Sequence, residues 1–84
     1  MYEVLLEKQA ERDLRGLQPD LFNRVIPEIR ALAENPRPPG CRKLKGSSGD
    51  WRIRVGDHRV LYEIDNRLRV VGVLRIRHRK EAYR

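Results

Sequence analysis

Arginines at alternating positions are the residues of this chain best suited to chemistry. In the run WRIRVGDHRVLYEI, Trp51 to Ile64, Arg52 and Arg54 precede a Gly56-Asp57 pair and Arg59 follows it. The run LRVVGVLRIRHRKEAYR, Leu68 to Arg84, adds Arg75, Arg77 and Arg79, with His78, Lys80 and Tyr83 beside them. A guanidinium is a fixed cation whose planar fork matches two oxygens of a phosphate. Several held rigidly together would stabilise the extra negative charge that a phosphodiester gains as it becomes pentavalent. RNA brings its own nucleophile, the 2′-OH beside each phosphate. A site of cations and one proton shuttle therefore needs neither a Ser or Cys nucleophile nor a metal.

Shuttle candidates are few. Histidine exchanges protons near neutral pH, which singles out His78. Tyr83 can stack on a base or relay a proton. His58 adjoins the Gly-Asp pair and reads as an exposed turn residue. Strand parity puts His78 on the core face unless the strand has ended there. Arginine is a poor general base, because as a residue type it stays protonated far above pH 7. Lys43, Lys45, Arg75, Arg77 and Lys80 are the further cations suited to holding an RNA backbone.

Composition limits what else the chain can be. Its 84 residues suit one small domain, residues 1–84. With 39% hydrophobic and 37% charged residues it is globular but lean in core, so a bound partner would add to its stability. No apolar run approaches the ~18 residues of a membrane span, and no signal-peptide pattern opens the chain. The single cysteine, Cys41, excludes an intrachain disulfide and leaves no metal cluster with the two histidines. A reducing cytoplasm and no cofactor are the expectation. The net charge is +7. Residues 1–50 hold nine Lys/Arg against eight Asp/Glu, whereas residues 51–84 hold ten against four. That excess points the C-terminal part toward an anionic partner: nucleic acid, phosphate or an acidic protein.

The elements that must position these side chains follow from periodicity. Tyr2–Glu7 alternates as a first strand. Ala10, Leu14 and Leu17 recur at helical spacing, and Gly16 with Gln18-Pro19 ends that helix. Asp20 is the expected N-cap of a second helix, with Leu21, Val25, Ile29 and Leu32 on one stripe. Pro27 predicts a kink or a late start in it, and NPRPPG, Asn35 to Gly40, stops it. From Cys41 onward the pattern is strand-like. The whole is an α+β domain: strand, two helices, three strands and a tail. A helical hairpin would cover one face of a mostly antiparallel four-stranded sheet.

Gly56-Asp57 as a two-residue loop pairs Ile53 with Val60 and Trp51 with Tyr62 on one face. Arg54 then opposes Arg59 on the other, with Arg52 opposite Leu61. Directly opposed arginines are unfavourable for folding, which makes them informative about function. The next loop is expected to be Asp65-Asn66-Arg67, with Asn66 in the left-handed region. Val70, Leu74 and Ile76 would then face the core. Arg69, Arg75, Arg77 and Arg79 would join the basic face, because burying arginines without partners costs several kcal/mol.

The segments KLKG, DWRIRVGDHRVLYEID and VVGVLRIRHRKEAYR, with NPRPPG upstream, resemble the RelE toxins (RelE/ParE superfamily) of type II toxin–antitoxin systems. The resemblance covers nearly all of the chain and is strongest over Lys43–Tyr83. It implies a ribosome-dependent mRNA endonuclease, or mRNA interferase, that enters the ribosomal A site. Such an enzyme cleaves the bound codon by 2′-OH attack, leaving a 2′,3′-cyclic phosphate and a 5′-OH. It also implies an acidic, RelB-like antitoxin that binds and inhibits the toxin, with operator DNA engaged only through their complex. By the same resemblance, Arg52 and Arg54 occupy the two basic strand positions, Arg59 the arginine of HRVLY, Arg79 the late arginine and Tyr83 the C-terminal tyrosine. The first two positions are often lysine in the family, and one of those lysines is a proposed base. Here that role passes to His78, or the arginines act only electrostatically. The end at Arg84 leaves little room for the C-terminal helix that some members carry.

Two other functions fit the same elements. A ParE-like relative would share the fold and poison DNA gyrase without cleaving RNA. A non-catalytic nucleic-acid-binding module would need only the basic face, though an aromatic content of 6% is low for a stacking platform.

Overall fold

A computed structural model describes residues 1–45 and 49–82. The elements are β1 (Glu3–Leu6), α1 (Lys8–Arg15), α2 (Pro19–Ala31), β2 (Arg42–Lys43), β3 (Asp50–Val55), β4 (His58–Asp65), β5 (Val70–His78) and α3 (Arg79–Ala82). One five-stranded sheet runs in the order β1-β5-β4-β3-β2. β1 lies parallel to β5, and every other pair is antiparallel. The expected sheet had four strands. The fifth is β2, a two-residue edge strand that pairs Arg42 with Arg52 and Lys43 with Trp51.

α2 starts two residues earlier than an Asp20 N-cap would set it. Gln18 takes the N-cap position without a side-chain hydrogen bond, and Pro19 opens the helix. Proline suits that place, since its fixed φ matches the helix and its missing N–H would have had no intrahelical partner. Asp20 falls in the first turn, where its charge complements the helix N-terminus. The helix continues through Pro27 to Ala31.

The core forms between the helical hairpin and one sheet face. It comprises Ala10 and Leu14 of α1, Val25, Ile29 and Leu32 from α2 and its end, and Ile53, Val55, Val60, Tyr62, Val71, Val73 and Ile76 of the sheet. Each Val, Leu or Ile among them stabilises the fold by about 1.5–3 kcal/mol when fully buried. Tyr62 also reaches across it: its hydroxyl donates to the Pro36 carbonyl at 2.7 Å. Burial pushes that phenol well above its usual range, reinforced by Cys41 and opposed by Arg37. Among the described residues no helix is long and apolar enough to cross a membrane.

The β4–β5 connection departs from expectation in an instructive way. It has four residues, Asn66 to Arg69, and the left-handed one is Arg69 (φ 57°), not Asn66. The Asp65 side chain builds the turn, its Oδ1 accepting from the N–H groups of Arg67 (3.0 Å) and Leu68 (2.8 Å). An even loop alone would have put Val71 and Val73 on the core and Arg75 with them. A bulge intervenes: Leu61 pairs with Arg75 but Tyr62 pairs with Val73, leaving Leu74 as the extra residue. The strand changes phase there. Val71, Val73 and Ile76 therefore bury, Val70 and Leu74 are only half-buried, and Arg75 and Arg77 stay off the core. Arg69 leaves the sheet face and stands over the Tyr2 ring, 4.7 Å from its centroid.

Beyond Val73 β5 has lost its parallel neighbour, because β1 pairs only as far as that residue. α1 covers the gap. Asp13 Oδ2 accepts from the Ile76 N–H at 2.9 Å and from Arg75 Nε at 2.8 Å, while Oδ1 accepts from Arg75 Nη2 at 3.3 Å. An exposed strand edge is thereby closed by a helix side chain.

Candidate nucleic-acid interface

The β3–β4 register has the pairing that a two-residue turn dictates, with Arg54 opposite Arg59. Gly56 provides the positive φ (60°) that the first position of a type II′ turn requires. Across the next interface Arg59 lies opposite Arg77. Arg54, Arg59 and Arg77 therefore form one row over three adjacent strands, on the face away from the helices. The row behind it reads Arg42, Arg52, Leu61, Arg75.

Burial sorts these cations into different tasks. Arg59, the middle of the front row, is only 8% exposed, while Arg54 is exposed and Arg77 half-buried. A desolvated guanidinium between two others concentrates positive potential at one spot. Arg52 is 7% exposed and its Nη1 donates to the Gly40 carbonyl at 3.4 Å, tying down the end of the proline-rich segment. Arg75 is held by Asp13, as described above. Both stand beside the front row rather than in the cleft in front of it.

α3 brings the remaining groups. The Arg79 N–H donates to the Asp57 carbonyl at 2.8 Å, so the helix begins against the hairpin tip. Between them opens a cleft of about 490 Å³ whose lining includes Arg54, Arg59, Arg79 and Lys80 together with Asp57 and His58. This arrangement can bind an anion on several fixed cations; His58 borders it at the hairpin tip, pairing with Val55 and His78 and not with the arginine row. His58, expected as an exposed turn residue, is half-buried there. Its adjacency to the Gly-Asp turn was the signal that placed it, since whatever the turn positions, His58 must flank.

His78 ends β5 opposite His58, on the core-side face that strand parity indicated. The two rings meet edge to face, centroids 5.1 Å apart and planes at 85°. His78 Nδ1 accepts from the Lys80 N–H at 3.2 Å and so caps α3. Lys43 belongs to β2 and Lys45 follows it, both exposed and outside the cleft lining. Tyr83 lies outside the described residues.

Known proteins share this fold and sequence pattern. The family model described as "ParE toxin of type II toxin-antitoxin system, parDE" matches residues 4–83. The chain is 32% identical over 84 residues to the toxin RelG of Mycobacterium tuberculosis, covering 99% of this chain and 97% of that one. It superposes with a TM-score of 0.81 on a chain of the toxin–antitoxin complex RelBE2 of the same organism, at 30% identity over 92% of this chain and 96% of that one. A chain of the archaeal RelE–RelB complex of Pyrococcus horikoshii gives a TM-score of 0.81 at 28% identity, over 93% and 94% of the two chains.

Proposed function

We propose that this chain, which belongs to the RelE/ParE superfamily of type II toxin–antitoxin toxins, is a ribosome-dependent endoribonuclease that cuts mRNA in the A site. The observation that supports this best is the arginine row, Arg54–Arg59–Arg77, of which Arg54 and Arg59 line one cleft together with Arg79. Like charges aligned on neighbouring strands weaken a sheet. They suit a phosphate that acquires a second negative charge as its 2′-oxygen attacks.

In this mechanism the 2′-oxygen bonds to phosphorus and gives its proton to His58, while the bond from phosphorus to the 5′-oxygen breaks and that oxygen takes a proton from solvent. A 2′,3′-cyclic phosphate and a 5′-OH result. Arg54, Arg59 and Arg79 hold the non-bridging and leaving oxygens. Arg77 supports Arg59 from the next strand, and Lys80 binds the backbone alongside. Arg52 and Arg75 act through the sheet, fixing the strands that carry the row. His58 is proposed as the proton acceptor because it borders the cleft at the hairpin tip. Tyr83 is assigned to stacking on the base, and Lys43 and Lys45 to more distant phosphates.

The partner of such a toxin is a RelB-like antitoxin, by analogy with the relatives solved as complexes. An acidic segment of it would neutralise the arginine face, operator DNA would be met only in that complex, and the cytoplasm would be the site of action. A second function is favoured by one observation, the match to the ParE family model: inhibition of DNA gyrase. Incubation with programmed ribosomes, followed by mapping of mRNA ends, tests the nuclease. A supercoiling assay run in parallel tests gyrase inhibition.

A further inference from the structure

The cleft has a rim that the arginine row does not supply. Arg24 lies on the exposed side of α2, and its guanidinium rests over the β3–β4 turn. A Cβ at Gly56 would come within 3.4 Å of Arg24 Nη1, 3.5 Å of Nη2 and 3.7 Å of Cζ. Gly56 also lines the cleft that holds Arg54, Arg59 and Arg79. The lack of a side chain at Gly56 lets a cation from the helix layer reach the hairpin tip. Among the described residues no carboxylate lies within ion-pair distance of Arg24. Its charge is therefore not spent inside the protein.

The arginine row and Arg24 approach the tip from opposite faces of the sheet, since α2 covers the core side and the row lies on the other. Asp57 follows Gly56 in the turn and, among the described residues, is the one acidic residue lining the cleft. A carboxylate repels phosphate but accepts from a ribose hydroxyl or a base amino group. Cation, acceptor and cation in sequence match a strand in which phosphates alternate with hydrogen-bond donors. A lone phosphate would use only one of the three.

We infer that Arg24 forms a second phosphate subsite at the hairpin tip, holding the internucleotide phosphate next to the one gripped by Arg54, Arg59 and Arg79. This rests on the cleft being an RNA site. Arg24 is a positioning residue that sets the register of the strand, and it takes no part in bond making or breaking.

The test uses 2′-O-methylated oligoribonucleotides, which bind without being cleavable, over a salt series. Arg24→Gln should weaken binding of a trinucleotide with two internucleotide phosphates by about fivefold or more. It should also lower the slope of log affinity against log salt by about 0.7, the value for one phosphate contact on a single strand. Arg24→Lys should keep the slope. A dinucleotide with one phosphate should bind the Arg24→Gln variant and the parent alike. Unchanged affinity and slope for the trinucleotide, or equal weakening of both probes, would overturn the subsite. Cleavage is scored separately on unmodified RNA in programmed ribosomes. A parent chain that never cleaves while Arg24→Gln loses the slope keeps the subsite and removes the nuclease; cleavage with no Arg24 effect does the reverse. The melting temperature of Arg24→Gln controls for folding and should match the parent, because the side chain is exposed.

Discussion

The main-chain N–H of Arg79 donates to the carbonyl of Asp57 at 2.8 Å. The residue after the last strand is thereby fixed to the turn between the third and fourth strands, more than twenty positions earlier in the chain. Arg79 has no strand partner to align it, so this bond holds it at the cleft that Arg54 and Arg59 also line. A catalytic group placed by backbone tolerates side-chain substitution without loss of the fold.

Arg54→Ala and Arg79→Ala should therefore each lower cleavage by roughly 10²–10³, the usual loss for one preorganised donor to a developing charge. Their melting temperatures should stay near that of the parent, since both side chains are exposed. Single-turnover rates beside thermal melts check this. A large fall in stability with either change would assign these arginines to the fold instead.

Replacing His58 by Gln should lower the cleavage rate by about 10²–10⁴, the span of general acid–base contributions, with RNA binding retained. His78→Gln should cost less than about tenfold in rate by the same measure and should loosen α3, read as faster amide exchange at Lys80. The opposite ranking of the two variants would return the proton-transfer role to His78.

Asp13 is 17% exposed and its Arg75 partner 35%, so their ion pair is partly screened. With the Ile76 N–H also released, Asp13→Ala should destabilise the chain by about 1–2 kcal/mol, measured by urea unfolding. An unchanged midpoint would show that solvent replaces those hydrogen bonds at no cost.

Tyr62 gives a pH prediction with a definite sign. Its folded-state pKa is raised above the ordinary tyrosine value by burial. The phenol's hydrogen bond to Pro36 therefore stabilises the fold fully below about pH 10, where the unfolded phenol is also neutral. That stability is lost as pH rises beyond it. The difference in unfolding free energy between the parent and Tyr62→Phe should be flat from neutral pH to about 10 and shrink above. A gap that widens in alkali would contradict the assignment.

How far the sequence reveals this site depends on what sets each register. The β3–β4 pairing is readable because a two-residue Gly-Asp loop leaves one alignment, and with it Arg54 opposite Arg59. The β4–β5 pairing is not, because two irregularities offset each other. An Asp65-capped four-residue loop shifts parity once, and the bulge at Leu74 shifts it back. Ile76, Arg75 and Arg77 thus reach the expected faces by another route, while Val71 and Val73 replace Val70 and Leu74 in the core. Arg52 and Arg75 look like any other alternating arginine in sequence. Their engagement with Gly40 and Asp13 depends on segments brought in from the proline-rich stretch and from α1. Arg24 is hidden for the same reason, since a helix pattern shows which face is polar but not which turn that face overhangs.

The most direct test is cleavage of mRNA on programmed ribosomes by the purified chain, with Arg59→Ala as control and a gyrase supercoiling assay alongside. The predicted result is a cut within the A-site codon, a 2′,3′-cyclic phosphate on the upstream fragment, no cut with Arg59→Ala, and unimpaired supercoiling. Intact mRNA together with inhibited gyrase would contradict the nuclease assignment and place the chain's activity with the ParE branch of its superfamily.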